Sequence, residues 1–206
     1  MLPARFITLE GGEGSGKSTQ AALLADAIGA LGIPVLRTRE PGGAPGAERL
    51  RELLPNGGLD WSPLAETLLH FTARAEHVEK VIRPALAAGT WVVCDRFSDS
   101  TMAYQGYGQG ADRAMIASLA RMIGLQPDLT LVLDVPPTIA ASRRQLRGGT
   151  DRYEQLDPTF HARVAEGFRE IARSEPRRCV LIAGQAPPEA VHRQVMQEVR
   201  TRLGLG

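Results

Sequence analysis

Five short runs of nearly continuous apolar residues punctuate the chain, at 6–9, 35–38, 91–94, 129–133 and 179–182. Each is bounded by Gly, Pro or charge, the pattern of strands covered on both faces. Between them, helical patterns run over 17–31, 47–54, 63–88, 113–123, 138–146, 158–173 and 188–203. Gly32, Gly89 and Gly124 each follow such a run, where a left-handed C-cap belongs. Strands alternating with helices predict right-handed crossovers and an α/β fold, a five-stranded parallel sheet with helices on both faces. No repeat or low-complexity linker divides residues 1–206, which read as a single domain. The segment 143–153 stands apart: it is polar, Arg-rich and broken by Gly148-Gly149, and reads as a mobile excursion.

The composition, 43% apolar and 23% charged over 206 residues, suits a soluble globular protein with a real core. No run approaches the ~18 apolar residues of a membrane span. Residues 1–10 lack the apolar core of a signal peptide. Cys94 and Cys179 each lie in an apolar run and are expected as buried free thiols in a reducing, cytoplasmic setting. A net charge of +1 gives no reason to expect a nucleic-acid or membrane surface. Of the 24 basic residues only Lys17 and Lys80 are lysine, so a lysine retained in this chain marks a need for a compact ammonium.

Lys17 is in a telling place. The first strand runs into Gly11-Gly12-Glu13-Gly14-Ser15-Gly16-Lys17-Ser18-Thr19, which fits G-x-x-x-x-G-K-[ST] with a strand before it and a helix after it. Its glycines let backbone N–H groups approach phosphate oxygens, and the helix start adds its positive end. Lys17 is expected on the β/γ-phosphates, and Ser18 offers a hydroxyl to Mg²⁺. This predicts a nucleoside triphosphate site on the three-layer fold of P-loop NTPases. A GTPase would need an N-K-x-D guanine reader; Lys80 is followed by Val81-Ile82-Arg83. ATP-driven machines need further domains. A small kinase remains.

Two apolar runs end in Asp, at Asp95 and Asp134. Asp95 is favoured as the second Mg²⁺ anchor because Arg96 follows at once, pairing a metal carboxylate with a phosphate guanidinium. Asp134 reads as a strand-terminal residue capping the helix after Pro136-Pro137. Phosphoryl transfer needs cations on the equatorial oxygens, and the loop supplies no Arg. Arg143, Arg144, Arg147 or Arg152 could deliver one from a lid spanning about 143–154.

The chain resembles bacterial thymidylate kinases over most of its length. The motifs, in order, are Phe6-Ile7-Thr8-Leu9-Glu10-Gly11; Thr38-Arg39-Glu40-Pro41-Gly42-Gly43; Arg74-Ala75-Glu76-His77-Val78; Asp95-Arg96-Phe97 running to Ala103-Tyr104-Gln105-Gly106; and Asp151-Arg152-Tyr153-Glu154. The resemblance implies ATP-dependent phosphorylation of dTMP to dTDP with Mg²⁺, and a homodimer. Arg96 and Arg51 would bind the dTMP phosphate, Glu13 would lie near the sugar 3′-hydroxyl and metal, and Arg74 would read the thymine edge. Thr101 and Gln105 would complete base recognition, Tyr104 would pack on the deoxyribose, and Glu40 joins the dTMP set through its motif. With Glu13 in the loop and arginines in the lid, the chain looks like the lid-arginine type, with Arg143, Arg147 and Arg152 as catalytic candidates. Where the family has a Phe stacked on thymine, four residues before the base-reading Arg, this chain has His70, with Phe71 beside it. Either can stack, and helical phase favours His70. Residues Ala183-Gly184-Gln185-Ala186 lie where the family places its adenine loop.

A related kinase for another nucleoside monophosphate or a deoxynucleoside is one alternative, and a non-catalytic nucleotide-binding protein is another. A deoxynucleoside kinase needs a carboxylate base near the 5′ position, whereas Arg51, Arg74 and Arg96 suit an acceptor phosphate.

Overall fold

The computed structural model describes residues 3–54, 61–147, 153 and 157–205, without the side chains of Arg144, Leu146 and Arg147. Strands β1 (Phe6–Glu10), β2 (Val35–Arg39), β3 (Trp91–Asp95), β4 (Leu129–Asp134) and β5 (Cys179–Ala183) form one parallel sheet, ordered β2-β3-β1-β4-β5. The helices are α1 (Lys17–Ala30), α2 (Pro45–Leu53), α3 (Pro63–His77), α4 (Arg83–Ala87), α5 (Ser98–Thr101), α6 (Arg113–Ile123), α7 (Pro137–Arg147), α8 (Pro158–Ser174) and α9 (Pro188–Leu203).

Alternation along β1 sends its side chains to two cores. Ile7 and Leu9 pack with Leu24 and Ile28 of α1 and with Val195 and Val199 of α9. On the opposite face Phe6 meets Val92, Ile82 and Phe97, while Val132 of β4 meets Val164 and Phe168 of α8. The three expected layers follow. Gly32, Gly89 and Gly124 all adopt positive φ, as C-caps should. Cys94 and Cys179 are free and buried, and desolvation raises both thiols above their ordinary pKa.

Three local differences from the sequence reading matter. Each strand runs one residue past its apolar run, adding Glu10, Arg39, Asp95, Asp134 and Ala183. Four of these are charged, because the carboxyl ends of the strands open into a crevice. The second is a helical stretch absent from the apolar pattern, α5 continuing as a π-helical segment Met102–Gly108. A glycine on each side lets it approach α8 closely: a Cβ on Gly108 would stand 2.5 Å from Phe160 Cε2, and one on Gly167 of α8 would stand 2.8 Å from Tyr107. Third, α7 carries helix through Arg147, so 143–147 are no excursion. Residues 148–152 and 154–156 lie outside the described residues, but Tyr153 is buried. The 63–88 helix is broken only by a π-helical turn, Val78–Ile82, ahead of Pro84. Among the described residues no helix is long and apolar enough to cross a membrane.

Candidate active site

In this strand order the connections leave β1 on one side and cross to β4 on the other, and ligands bind in the crevice outside the carboxyl ends at such a switch point. The parallel register sets Leu9 beside Asp95 and Glu10 beside Val132, so the phosphate loop and Asp95-Arg96 emerge side by side. There a cleft of about 660 Å³ gathers most of the predicted residues: Glu13, Gly14, Gly16, Lys17, Ser18 and Thr19 from the loop, with Glu40, Arg51, His70, Arg74, Asp95, Arg96, Thr101, Tyr104, Gln105 and Arg143. Gly11, Gly12 and Ser15 line an adjoining recess beside Asp134.

The loop geometry suits anion binding. Gly11 has φ 135°, and a Cβ there would lie 2.6 Å from Leu133 O, so only glycine fits. Lys17 is buried and donates to Gly12 O at 2.8 Å and Ser15 Oγ at 3.3 Å. Burial, then the charge of Arg96, lowers its amine to about 8. Ser18 Oγ donates to Asp95 Oδ2 at 2.5 Å, while Asp95 Oδ1 is buried with no hydrogen-bond partner. A hydroxyl and an orphaned carboxylate oxygen together fit a hard cation that takes its remaining ligands from phosphate and water. Among the described residues no cluster of three His, Cys, Asp or Glu could hold a metal by itself.

Arg96 is the one non-glycine with positive φ among the described residues, at 71°. This turn aims its guanidinium back across the strand ends, donating to Gly11 O at 3.3 Å, Ser100 Oγ at 3.1 Å, Tyr104 OH at 3.3 Å and the Glu13 carboxylate. Burial works against its charge, but Glu13 holds it well above its ordinary pKa. The turn is pinned by Glu10, which the motif reading did not single out. Its Oε1 accepts from Phe97 N at 2.7 Å and Ser100 N at 3.3 Å, and its Oε2 from Ser100 Oγ at 2.5 Å. Burial first, and the Asp99 charge second, raise the Glu10 carboxyl to about 8.

Arg74 rises from α3 into the cleft, its guanidinium stacked between Phe71 and Phe97 at 4.7 and 5.2 Å. Its Nε donates to Glu40 Oε2 at 2.7 Å and its Nη2 to Thr101 Oγ1 at 3.2 Å, leaving Nη1 buried without a partner. The other Glu40 oxygen meets His77 Nδ1 at 3.0 Å, and His77 Nε2 meets Thr38 Oγ1 at 2.7 Å. Both Glu40 oxygens are thus engaged within the protein. Gly43 closes this network, since a Cβ there would lie 2.3 Å from His77 Nε2. Arg51 donates to Pro41 O at 2.8 Å. His70 faces the cleft; desolvation, then Arg74 and Arg96, hold its imidazole neutral, down at about 3. Phe71 is buried beneath Arg74.

Asp134 does not cap α7 as expected: Arg169 of α8 takes both its oxygens, at 2.9 and 3.1 Å. Arg143 donates to Gly184 O at 2.9 Å and Gln185 O at 3.3 Å, closing a recess with Ser15, Gly16 and Gln20. The Arg144 and Arg147 side chains, and Arg152 entirely, lie outside the described residues.

Comparison with known proteins identifies the lineage. A family model described as thymidylate kinase matches residues 9–195. The chain belongs to the thymidylate kinase family. It is similar to the thymidylate kinase of Caulobacter vibrioides, 52% identical with both chains fully covered, and to that of a Synechococcus strain, 52% identical over 97% of this chain and 96% of the other. The crystal structure of thymidylate kinase from Ehrlichia chaffeensis superposes with a TM-score of 0.78 at 36% identity, covering 95% of this chain and 98% of that one. Within this family the crevice has a ready division, with the phosphate loop and Asp95 at one end and Arg74 among α3 and α5 at the other.

Proposed function

We propose that this single-domain enzyme transfers the γ-phosphoryl group of ATP to dTMP in the cleft, giving ADP and dTDP. The observation that carries this reading is one cleft lined both by Lys17 of the phosphate loop and by a second set of cations, Arg51, Arg74 and Arg96. A monophosphate oxygen is already ionised at neutral pH, so it attacks the γ-phosphorus without a general base. The new P–O bond forms as the bond to the β-phosphate oxygen breaks, and no covalent enzyme intermediate is needed.

Lys17 and the loop N–H groups hold the donor phosphates. Arg96 and Arg51 hold the acceptor phosphate, with Glu13 fixing the Arg96 guanidinium and facing the sugar. Arg74, Thr101 and Gln105 read the base, His70 covers its ring, Tyr104 packs on the deoxyribose, and Glu40 acts by orienting Arg74. Ser18 and Asp95 would hold Mg²⁺, which when bound neutralises charge on the transferring phosphates. Arg143, Arg147 and Arg152 are the proposed lid cations, and the hydrogen bonds of Arg143 to Gly184 O and Gln185 O support an adenine recess beside it. Exposed Leu64 and Leu68 on α3 and Met122 on neighbouring α6 support a homodimer through these helices. Two free buried thiols suit a cytoplasmic enzyme.

The test is ADP release with ATP and Mg²⁺ against dTMP, dUMP, AMP, GMP, CMP and thymidine. Turnover with dTMP, reduced about 10³-fold or more by Arg96→Ala, is the expected result. Preference for another acceptor overturns the base assignments, and ATP binding without acceptor-dependent turnover overturns the enzyme.

A further inference from the structure

Beneath the acceptor end lies a polar cluster that phosphoryl transfer does not use. Glu66 of α3 is fully buried, and its Oε1 accepts from Gln105 Nε2 at 2.9 Å and from the Tyr153 hydroxyl. Gln109 Nε2 reaches its two oxygens at 3.2 and 3.3 Å. The Tyr153 oxygen in turn accepts from Gln105 Nε2 at 3.0 Å and meets His70 Nε2 at 3.3 Å. The Tyr153 ring is wedged edge-on to Tyr104 at 5.4 Å and stacked with Phe160 at 6.4 Å.

Counting protons fixes the direction of each bond. A phenol has a single proton, and Tyr153 donates it to Glu66, so the Tyr153 oxygen receives from Gln105 and from a His70 protonated on Nε2. Both amide protons of Gln105 are then committed, one to Glu66 and one to Tyr153. A flipped amide would turn its carbonyl oxygen onto the Glu66 carboxylate, two acceptors facing each other without a proton. Gln105 Oε1, with no partner among the described residues, is what remains for the cleft that Gln105 lines. Arg74 lines the same cleft and brings the buried, partnerless donor Nη1.

We propose that Glu66 and Tyr153 set the base preference of the acceptor site by locking the Gln105 amide in one orientation. This rests on the reading that the cleft holds the acceptor base. One fixed acceptor and one free donor complement a pyrimidine whose N3 carries a proton and whose C4 carries an oxygen. A cytosine edge, with a bare N3 and a 4-amino group, meets acceptor with acceptor and donor with donor. Glu66 and Tyr153 are positioning residues that act through Gln105. Sequence reasoning missed Glu66 because a single Glu in an amphipathic helix reads as its solvent face.

The test measures kcat/KM for dTMP, dUMP and dCMP with the wild type, Tyr153→Phe and Glu66→Gln. Tyr153→Phe keeps the ring packing and frees one amide proton of Gln105. The dTMP:dCMP ratio should fall roughly tenfold, the worth of one positioning hydrogen bond, while the dTMP:dUMP ratio stays fixed because the amide does not read the 5-methyl group. Glu66→Gln, which can present either an N–H or a carbonyl to Gln105, should lower the ratio further. Equal losses for dTMP and dCMP in Tyr153→Phe would assign Tyr153 to packing alone and overturn the proposal, whether or not Glu66→Gln folds. A wild type that turns over dCMP as readily as dTMP would defeat the base-site reading itself, before any variant is made.

Discussion

Arg74 and Arg178 are both largely buried guanidinium groups paired with carboxylates, yet they are finished differently. Arg178 meets Asp99 with two bonds of 2.6 and 2.8 Å, Glu175 at 2.5 Å and Thr130 Oγ1 at 3.0 Å, and Thr130 passes the chain on to Thr8 at 2.8 Å. Burial works against its charge, but Asp99 and Glu175 hold it well above its ordinary pKa. Arg74 has Glu40 and Thr101 and then stops, one donor short and facing a cavity. The closed cluster ties β1, β4 and α5 together, whereas the open one keeps a donor for the acceptor base proposed above. Burial and charge do not tell these two arginines apart; the buried, partnerless Nη1 of Arg74 does.

The contrast breaks if both arginines behave alike on removal. Arg74→Leu should cost about 10²–10³ in kcat/KM for the acceptor, from a lost charged hydrogen bond in a desolvated site. Arg178→Leu should leave kcat/KM for the folded enzyme within about threefold while lowering stability by about 3–5 kcal/mol, since it strands Asp99. Denaturant unfolding beside steady-state kinetics separates the two, and equal kinetic losses would erase the distinction.

Glu10 sits at the joint between the clusters, pushed up by burial and then by Asp99, and drawn down by its Ser100 hydrogen bond and by Arg96. Its folded pKa of about 8 exceeds the ordinary 4.5, so between those values the folded chain keeps a proton that the unfolded chain has released. Stability from this group is therefore lost as pH rises from about 5 to about 8. Melting temperatures over that range should slope downward in the wild type and flatten in Glu10→Gln; parallel slopes would refute the assignment. The smallest effect belongs to Lys17. Near pH 8 its amine is partly deprotonated, and arriving phosphates favour the charged form, so ATP binding should take up a fraction of a proton at pH 8 and almost none at pH 6. Calorimetry in buffers of different ionisation enthalpy reads this directly, and a buffer-independent heat at pH 8 would rule it out.

What could be seen in the chain before its structure follows from how local each feature is. The five strands announce themselves because both faces are covered, and the phosphate loop because its glycines, Lys17 and Ser18 are contiguous. The open cluster is another matter. Glu40 and Arg74 are 34 residues apart and His77 lies 37 from Glu40; their pairing exists only once β2 and α3 are packed together. The stretch after Arg96 hid its helix because Ser98, Asp99, Ser100 and Thr101 are poor helix formers, and Glu10 supplies the missing N-terminal acceptor from another strand. Resemblance supplied roles for Arg74 and Gln105, but not the Glu66 and Tyr153 that hold Gln105 in place.

The positive φ of Arg96 has one more consequence. An unbranched but bulky side chain in that region costs about 1–2 kcal/mol relative to glycine, so the folded chain would tolerate Gly at this position more comfortably than what it has. Any redesign guided by thermal robustness alone would therefore be drawn to this residue first and would remove a guanidinium proposed to hold the acceptor phosphate. The backbone at this turn is held in permanent tension with the fold, because only a residue bent this way can reach Gly11, Glu13 and Tyr104 at once.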